Sequence, residues 1–281
     1  MRGRTTVLGV SQTMTVRRRE RRIGAAPGGA GCAGLLVALA AVAGCSGTGA
    51  AAEGDPRAAV RQAADVLAEA GTSRARTAME MASGGTRITL SGRGGFDYAA
   101  GTGELRVSLP EGRRVTEVFV PGRLFMKNRG AGVPADKWVR VDVTALPDGN
   151  LVTGGATDPI AAAELLRGAR SVTDLGDIRM NGETLRHYRG VTDIAAAASA
   201  AAGESRKQLA AAVGGFARTE VPFDVYLDDQ GRLRKVRHDF TFADGAGRGV
   251  DVTSTVVLYD FGVPVEVVLP GAGDVFAGAV G

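Results

Sequence analysis

Histidine is the side chain that most readily transfers a proton near neutral pH, and this chain has two, His187 and His238. A hydrolytic site would need a nucleophile and a carboxylate beside one of them, and Ser254 and Asp239 are candidates by residue type alone. No G-x-S-x-G turn presents a serine in the way that such enzymes require. Both histidines stand in strand-like runs beside charged residues, and two histidines without cysteine make a poor metal site. We therefore expect structural histidines, no catalysis, no metal and no cofactor.

A different chemistry is open to Cys45, because a cysteine sulfur is a strong nucleophile. Cys45 follows Val42-Ala43-Gly44, small residues that fit a peptidase pocket. Before them lies an apolar stretch from Gly31 to Ala43, about 13 residues long and too short for a transmembrane helix of roughly 20 residues. Five arginines between positions 17 and 22 precede that stretch. A basic region, an apolar region and small residues, in that order, are typical of a secretion signal.

The segment around Cys45 resembles the lipobox of bacterial lipoproteins. The resemblance implies a signal peptide over 1–44, with Met1 or Met14 as its start, and diacylglycerol and palmitate-type acyl chains on Cys45. Residues 45–54 are then the lipidated cysteine and a flexible tether, and 55–281 form a single domain. We expect the protein at the cell membrane, lipid-anchored on its extracytoplasmic side. An ordinary buried cysteine after a short apolar helix is the alternative.

Removal of the leader changes the charge of the protein. Residues 1–44 hold seven of the 34 basic and one of the 30 acidic residues, which leaves 27 basic and 29 acidic residues and a net charge of −2. A nucleic-acid partner is not expected, because the basic balance of the full chain belongs to the leader. The second cysteine, Cys32, leaves with the leader. The mature domain must therefore be held together by its core without a disulfide.

The remaining chain predicts an α+β domain with a large antiparallel sheet. Asp55-Pro56 and Asp158-Pro159 each indicate the start of a helix. A third, Ala-rich helix is predicted from about Asp193 to Val213, with Gly203 as a potential break. Strand-like alternation fills most of the rest, in some six runs before the second helix, a hairpin at Asn181-Gly182 and four runs at the end, the last over 265–269.

Three stretches carry a family resemblance. They are HYRGV at 187–191, FDVYLDDQGRL at 223–233 and YDFGVPV at 259–265. Their order and spacing resemble the LppX/LprA/LprF/LprG lipoproteins, which are related in fold to the carriers LolA and LolB, over roughly residues 55–271. The resemblance implies a strongly curved antiparallel sheet, a half-open barrel, with helices covering its concave side around an apolar cavity.

The resemblance also implies that the chain binds a lipid or lipoconjugate and carries it within the cell envelope without catalysis. From the alternation of the strands we expect the cavity to be lined by Ile88, Leu90, Phe96, Leu105, Val107, Val118, Val120, Val139, Val141, Phe223, Val225, Phe240, Val256 and Leu258. The helical cover is expected from Leu165, Leu166 and Leu209. One alternative is a solid interaction module that docks on a membrane transporter or a cell-wall enzyme, and another is an envelope hydrolase.

Overall fold

The computed structural model describes residues 54–83, 85–130, 132–152, 158–243 and 249–277. The predicted signal peptide, the anchor at Cys45 and the tether up to residue 53 lie outside the described residues and stay predictions. The described residues all fall within one compact unit.

Four α-helices are present in the described residues. They are α1 (Pro56–Glu69), α2 (Pro159–Leu165), α3 (Ile194–Ala200) and α4 (Gly203–Ala212). The first two begin where the Asp-Pro pairs predict, because the Asp55 carboxylate accepts a hydrogen bond from the Arg57 amide at 3.0 Å and Asp158 accepts one from Ile160 at 2.8 Å. The Ala-rich stretch forms two helices, because Gly203 has a φ of 53°.

The described strands form one antiparallel sheet of eleven strands. They are β1 (Thr72–Ser83), β2 (Thr86–Asp97), β3 (Thr102–Ser108), β4 (Arg114–Val120), β5 (Arg123–Lys127), β6 (Trp138–Asp142), β7 (Ala169–Met180), β8 (Glu183–Asp193), β9 (Glu220–Leu227), β10 (Leu233–Ala243) and β11 (Gly249–Tyr259). Their order is β6-β5-β4-β3-β2-β1-β11-β10-β9-β8-β7, so β6 and β7 are the two edges and the sheet does not close. The predicted fold class, α+β with a curved, half-open antiparallel sheet and helices on its concave side, is confirmed.

The hairpin between β7 and β8 turns at Asn181-Gly182, as predicted. Asn181 has a φ of 52° and Gly182 a φ of 88°, and Met180 pairs with Glu183 directly across the turn. Positive φ at both central residues is the hallmark of the two-residue turn that suits the twist of paired strands.

The prediction of a last strand over 265–269 is wrong. After Tyr259 the chain leaves the sheet. Residues 260–277 are here called the C-terminal segment, and residues 263–270 within it have no regular secondary structure. The segment begins beside β1, where the Gly262 amide donates to the Thr72 carbonyl, and ends beside β6, where the Phe276 amide donates to the Trp138 carbonyl. Val265 of this segment lies against Gly95 of β2, so the segment does not extend the sheet.

The two faces of the sheet differ in what covers them. The four helices pack on the face that we call concave, and the C-terminal segment crosses the opposite, convex face. On the convex face Val265 lies against Gly95 of β2. Parts of the sheet are therefore buried from both sides.

Candidate functional site

The strand register identifies the side chains that point to the helices. Ala75 of β1 pairs with Gly94 and Leu258, and Gly94 pairs with Leu105, so these positions share the concave face. Most of the predicted cavity positions lie on that face and are buried.

The buried apolar side chains of the concave side form two clusters. The first, the α1 cluster, packs under helix α1 and includes the predicted positions Phe96, Leu105, Val107, Leu166, Phe223, Val225, Val256 and Leu258, with Val141 packed against it. The second, the α3 cluster, packs under α3 and α4 and includes Leu90, Leu165, Leu209 and Phe240. Val139 is also buried on the concave face.

Three predicted cavity positions need correction. Val118 and Val120 lie on the convex face, because Leu105 pairs with Glu117 and Phe119 of β4 points to the helices. Ile88 belongs to the concave face but is 39% exposed, since it lies near the turn of the β1–β2 hairpin.

A polar seam separates the two clusters. It consists of Thr77, His238 and Ser254, which are 5%, 1% and 2% exposed. His238 and Ser254 pair directly across β10 and β11, and the His238 ring lies 6.4 Å from Phe223 of the α1 cluster and 5.7 Å from Phe240 of the α3 cluster. The seam therefore runs between the two apolar clusters of the concave face.

The seam presents polar atoms that the described protein does not satisfy. His238 Nε2 and Thr77 Oγ1 have no hydrogen-bond partner among the described residues. Burial lowers the pKa of His238 to about 3, so its imidazole is neutral at physiological pH and Nε2 is a donor or an acceptor according to the tautomer. An unpaired polar atom in the interior costs about 1–3 kcal/mol, which makes these two atoms candidates for contact with a bound molecule.

Glu117 is a second buried polar group on the concave face. Its side chain is fully buried, neither carboxylate oxygen has a hydrogen-bond partner among the described residues, and Arg129 Nη1 lies 3.7 Å from Oε1. Burial raises the pKa of Glu117 to about 8, and the nearby Arg129 only partly offsets this effect. The carboxyl group is therefore mostly protonated at neutral pH.

One pocket lies inside the helix layer, among the described residues. A pocket of about 50 Å³ lies between α1 and α2, next to Leu67, Tyr98 and Ile160. About 10–15 Å³ of such space holds one water, so this pocket has room for a few waters and is too small for a long acyl chain. A larger apolar molecule could enter this pocket only if α1 or α2 moved.

The candidate hydrolytic residues are brought together only in part. His238 and Ser254 are neighbours, but Asp239 follows His238 in the same strand and therefore points to the convex face, where its carboxylate accepts hydrogen bonds from Thr253 and Arg237. His187 lies on the convex face as well, with Nε2 2.7 Å from Asp224 and its ring stacked on Tyr226. Within the described ranges no three His, Cys, Asp or Glu side chains converge to hold a metal ion.

No helix in the described part of the chain is long and apolar enough to cross a membrane.

Comparisons with known proteins give likenesses of fold at low identity. No family model matches the chain, and no curated protein matches its sequence. Among solved structures it is similar to the lipoprotein LppX of Mycobacterium tuberculosis (14% identity, 75% of this chain and 97% of that chain, TM-score 0.48). It is also similar to LprF of Mycobacterium bovis (10% identity, 77% and 97%, TM-score 0.41) and to a LolA superfamily protein of Nitrosomonas europaea (11% identity, 76% and 94%, TM-score 0.35). LppX and LprF are among the lipoproteins that the sequence motifs resemble.

Proposed function

We propose that this chain is a membrane-anchored lipoprotein that binds a lipid or lipoconjugate between its sheet and its helices and carries it within the cell envelope, without catalysis. The observation that supports the proposal is the polar seam between two apolar clusters. A two-chain lipid with its chains spread apart has the same division, with ester or amide groups between two apolar chains. His238 Nε2 and Thr77 Oγ1 are placed to bond such groups, while the clusters take the chains.

The energetic reason for a carrier is the cost of moving lipid through water. Each CH₂ group exposed to water costs about 0.8 kcal/mol, so a two-chain lipid leaves a bilayer very slowly without a protein to cover it. A protein that covers the chains lowers this barrier by burial alone and needs no chemical step.

The helical cover is suited to opening because its contacts are small. The faces of α2 and α3 that meet the sheet consist largely of alanine, including Ala161, Ala162, Ala197 and Ala198. An alanine methyl buries less apolar surface than a leucine side chain, so lifting such a helix costs less free energy. Entry of a lipid would replace these alanine contacts with contacts to acyl chains.

The anchor at Cys45 is the second part of the proposal. Two or more acyl chains on one residue give stable attachment, whereas a single chain gives only marginal binding. Replacement of Cys45 by Ala should leave the precursor uncleaved at Gly44 and without acyl chains. Recovery of the processed Cys45→Ala protein in the membrane fraction would contradict the anchor.

The experiment that tests binding is solvent extraction of the purified Cys45→Ala chain followed by mass spectrometry of the extract. We expect about one lipid or lipoconjugate per chain, retained through purification in the absence of detergent. An extract without lipid, from protein expressed in the presence of its own membranes, would overturn the proposal.

One observation favours the interaction module as a second candidate. Val268 and Leu269 are 65% and 55% exposed on the C-terminal segment. Exposed apolar side chains mark a contact surface when they are grouped. The same extraction separates the two candidates, because a solid module retains no lipid.

A further inference from the structure

Three arginines stand directly opposite one another on neighbouring strands of the convex face. Arg76 of β1 pairs with Arg93 of β2, and Arg93 pairs with Arg106 of β3. Neighbouring strands lie about 4.8 Å apart, so this row, here called the arginine ladder, spans roughly 10 Å. Like charges directly opposite each other destabilise a sheet.

A groove of about 650 Å³ lies along the ladder. Among the described residues that line it are Arg74, Arg93, Arg106 and Arg114, the hydroxyl groups of Ser91 and Ser108, and a single carboxylate, that of Asp260. The groove therefore combines a strong positive charge with hydroxyl donors.

The positive charge is left largely unneutralised. Arg106 has Glu104 at 3.4 Å, in a highly exposed contact. Arg74, Arg93 and Arg114 form no ion pair with any described carboxylate. The only described aromatic support in the ladder is the Tyr259 ring, 4.7 Å from the Arg76 guanidinium. Residues 45–281, with a net charge of −2, thus carry a cluster of largely unpaired cations on one surface.

We propose that this groove binds the phosphate groups of anionic phospholipids and docks the convex face on a membrane surface. Guanidinium groups bind phosphate oxygens in bidentate fashion, and a phosphate between neighbouring arginines removes the repulsion within the ladder. The proposal concerns a different face from the lipid-binding interior and does not depend on it.

The C-terminal segment provides the second observation that points to a membrane. It crosses the same convex face between Gly95 and Trp138, and it carries the exposed pair Val268 and Leu269. Basic side chains on the same face as exposed aliphatic ones are the combination with which peripheral proteins bind an anionic bilayer, since the cations meet the headgroups and the aliphatic groups enter the acyl boundary. A soluble anion would use the arginines but would leave the aliphatic pair without a role.

Vesicle binding of the full chain carrying Cys45→Ala tests the proposal, since no acyl anchor then contributes. The probes are vesicles of phosphatidylcholine with and without phosphatidylglycerol. The test variant adds Arg93→Gln and Arg106→Gln, and the matched control adds Arg57→Gln and Arg179→Gln, two exposed arginines on α1 and β7. Both variants keep the arginines of the leader and lose the same charge.

We expect the groove variant to bind vesicles containing phosphatidylglycerol roughly 20- to 30-fold more weakly than the parent, and the control to bind like the parent. Val268→Ser with Leu269→Ser should weaken binding to the same vesicles independently. Equal binding by groove and control variants would overturn the proposal. Stabilisation by inorganic phosphate without any groove-dependent vesicle binding would also overturn it, by assigning the groove to a soluble anion. Extraction of lipid from the interior is a separate measurement, so failure here leaves the carrier function intact.

Discussion

Val265 lies directly over Gly95, so that a Cβ atom built on Gly95 would stand 3.1 Å from Val265 Cγ2. The glycine leaves room on β2 for the C-terminal segment to cross the convex face. Val118 and Phe125, on the convex side of β4 and β5, are also buried.

Replacement of Gly95 by Leu should therefore displace the C-terminal segment. We expect faster hydrogen exchange of the Gly262 and Phe276 amides, which now bond the Thr72 and Trp138 carbonyls, and a loss of about 1–3 kcal/mol from overpacking. The matched control is Gly214→Leu, at a glycine with negative φ and nothing within 4 Å of its added Cβ. Equal exchange rates in the two variants would show that Gly95 does not hold the segment in place.

At the hairpin turn, a substitution of Gly182 should strain the backbone without disturbing side-chain packing. Gly182 has a φ of 88° and nothing within 4 Å of an added Cβ. Gly182→Val should cost roughly 1–2 kcal/mol of unfolding free energy, because a β-branched residue is strained in the left-handed region. Gly273→Val, at an open glycine with ordinary φ, is the control. Denaturant unfolding of both variants measures the difference, and an equal midpoint would contradict the turn.

The buried carboxyl group of Glu117 should make the stability of the protein depend on pH. The unfolded carboxyl loses its proton near pH 4.5, whereas the folded one keeps it until about pH 8, so unfolding becomes easier as pH rises between these values. The slope is at most about 1.4 kcal/mol per pH unit. Glu117→Gln should remove this fall.

The clearest window for Glu117 lies above pH 6.5. His238 has the opposite effect on the pH dependence of stability. Its pKa is lowered to about 3 in the folded protein, so its contribution to stability rises with pH up to the unfolded value of 6.5 and is constant above it. Burial raises the pKa of Asp158 to about 6, so this carboxyl group has also lost most of its protons above pH 6.5. A wild-type protein that does not lose stability relative to Glu117→Gln between pH 6.5 and 8 would contradict a protonated Glu117.

A substitution of His238 should reduce lipid binding without reducing the stability of the domain. His238→Phe removes an unpaired buried nitrogen, so we expect the ligand-free domain to keep or gain stability at pH 7. The amount of lipid retained through purification should fall, because the seam loses a polar contact. His187→Phe, on the convex face, breaks the bond to Asp224 and should leave the lipid content unchanged. If both variants retain lipid equally, the seam does not contact the ligand.

Much of the fold follows from short-range signals in the sequence. Asp-Pro pairs mark two helix starts, Asn181-Gly182 marks a hairpin, and period-two alternation finds the strands, because each of these depends on neighbours within a few residues. β4 shows where this fails. Glu117, Val118 and Phe119 are all buried, although they alternate between the two faces of the sheet. Alternation then no longer distinguishes the faces, and Val118 and Val120 are assigned to the wrong one.

The polar features of the site depend on long-range pairing. In the sequence, each arginine of the ladder has the pattern of an ordinary exposed strand residue. Its position opposite another arginine depends on the register between strands, which the turns set. The pairing of His238 with Ser254, and the placement of both between two apolar clusters, depend on the same register and on the packing of helices that lie far away in sequence.

The most direct test of lipid binding in the concave interior is to fill that interior and measure the lipid that remains. Val225 of β9 is fully buried in the α1 cluster, whereas Val257 of β11 lies on the convex face, opposite Arg76. Lipid per chain, by mass spectrometry, and melting temperature should be measured for the wild type, Val225→Trp and Val257→Trp, with Trp at positions 107 and 141 as further inward variants. The account predicts that Val225→Trp stays folded, at a cost of about 1–3 kcal/mol, and loses its lipid, while Val257→Trp keeps it. Equal lipid in the two variants, or none in the wild type, would contradict it.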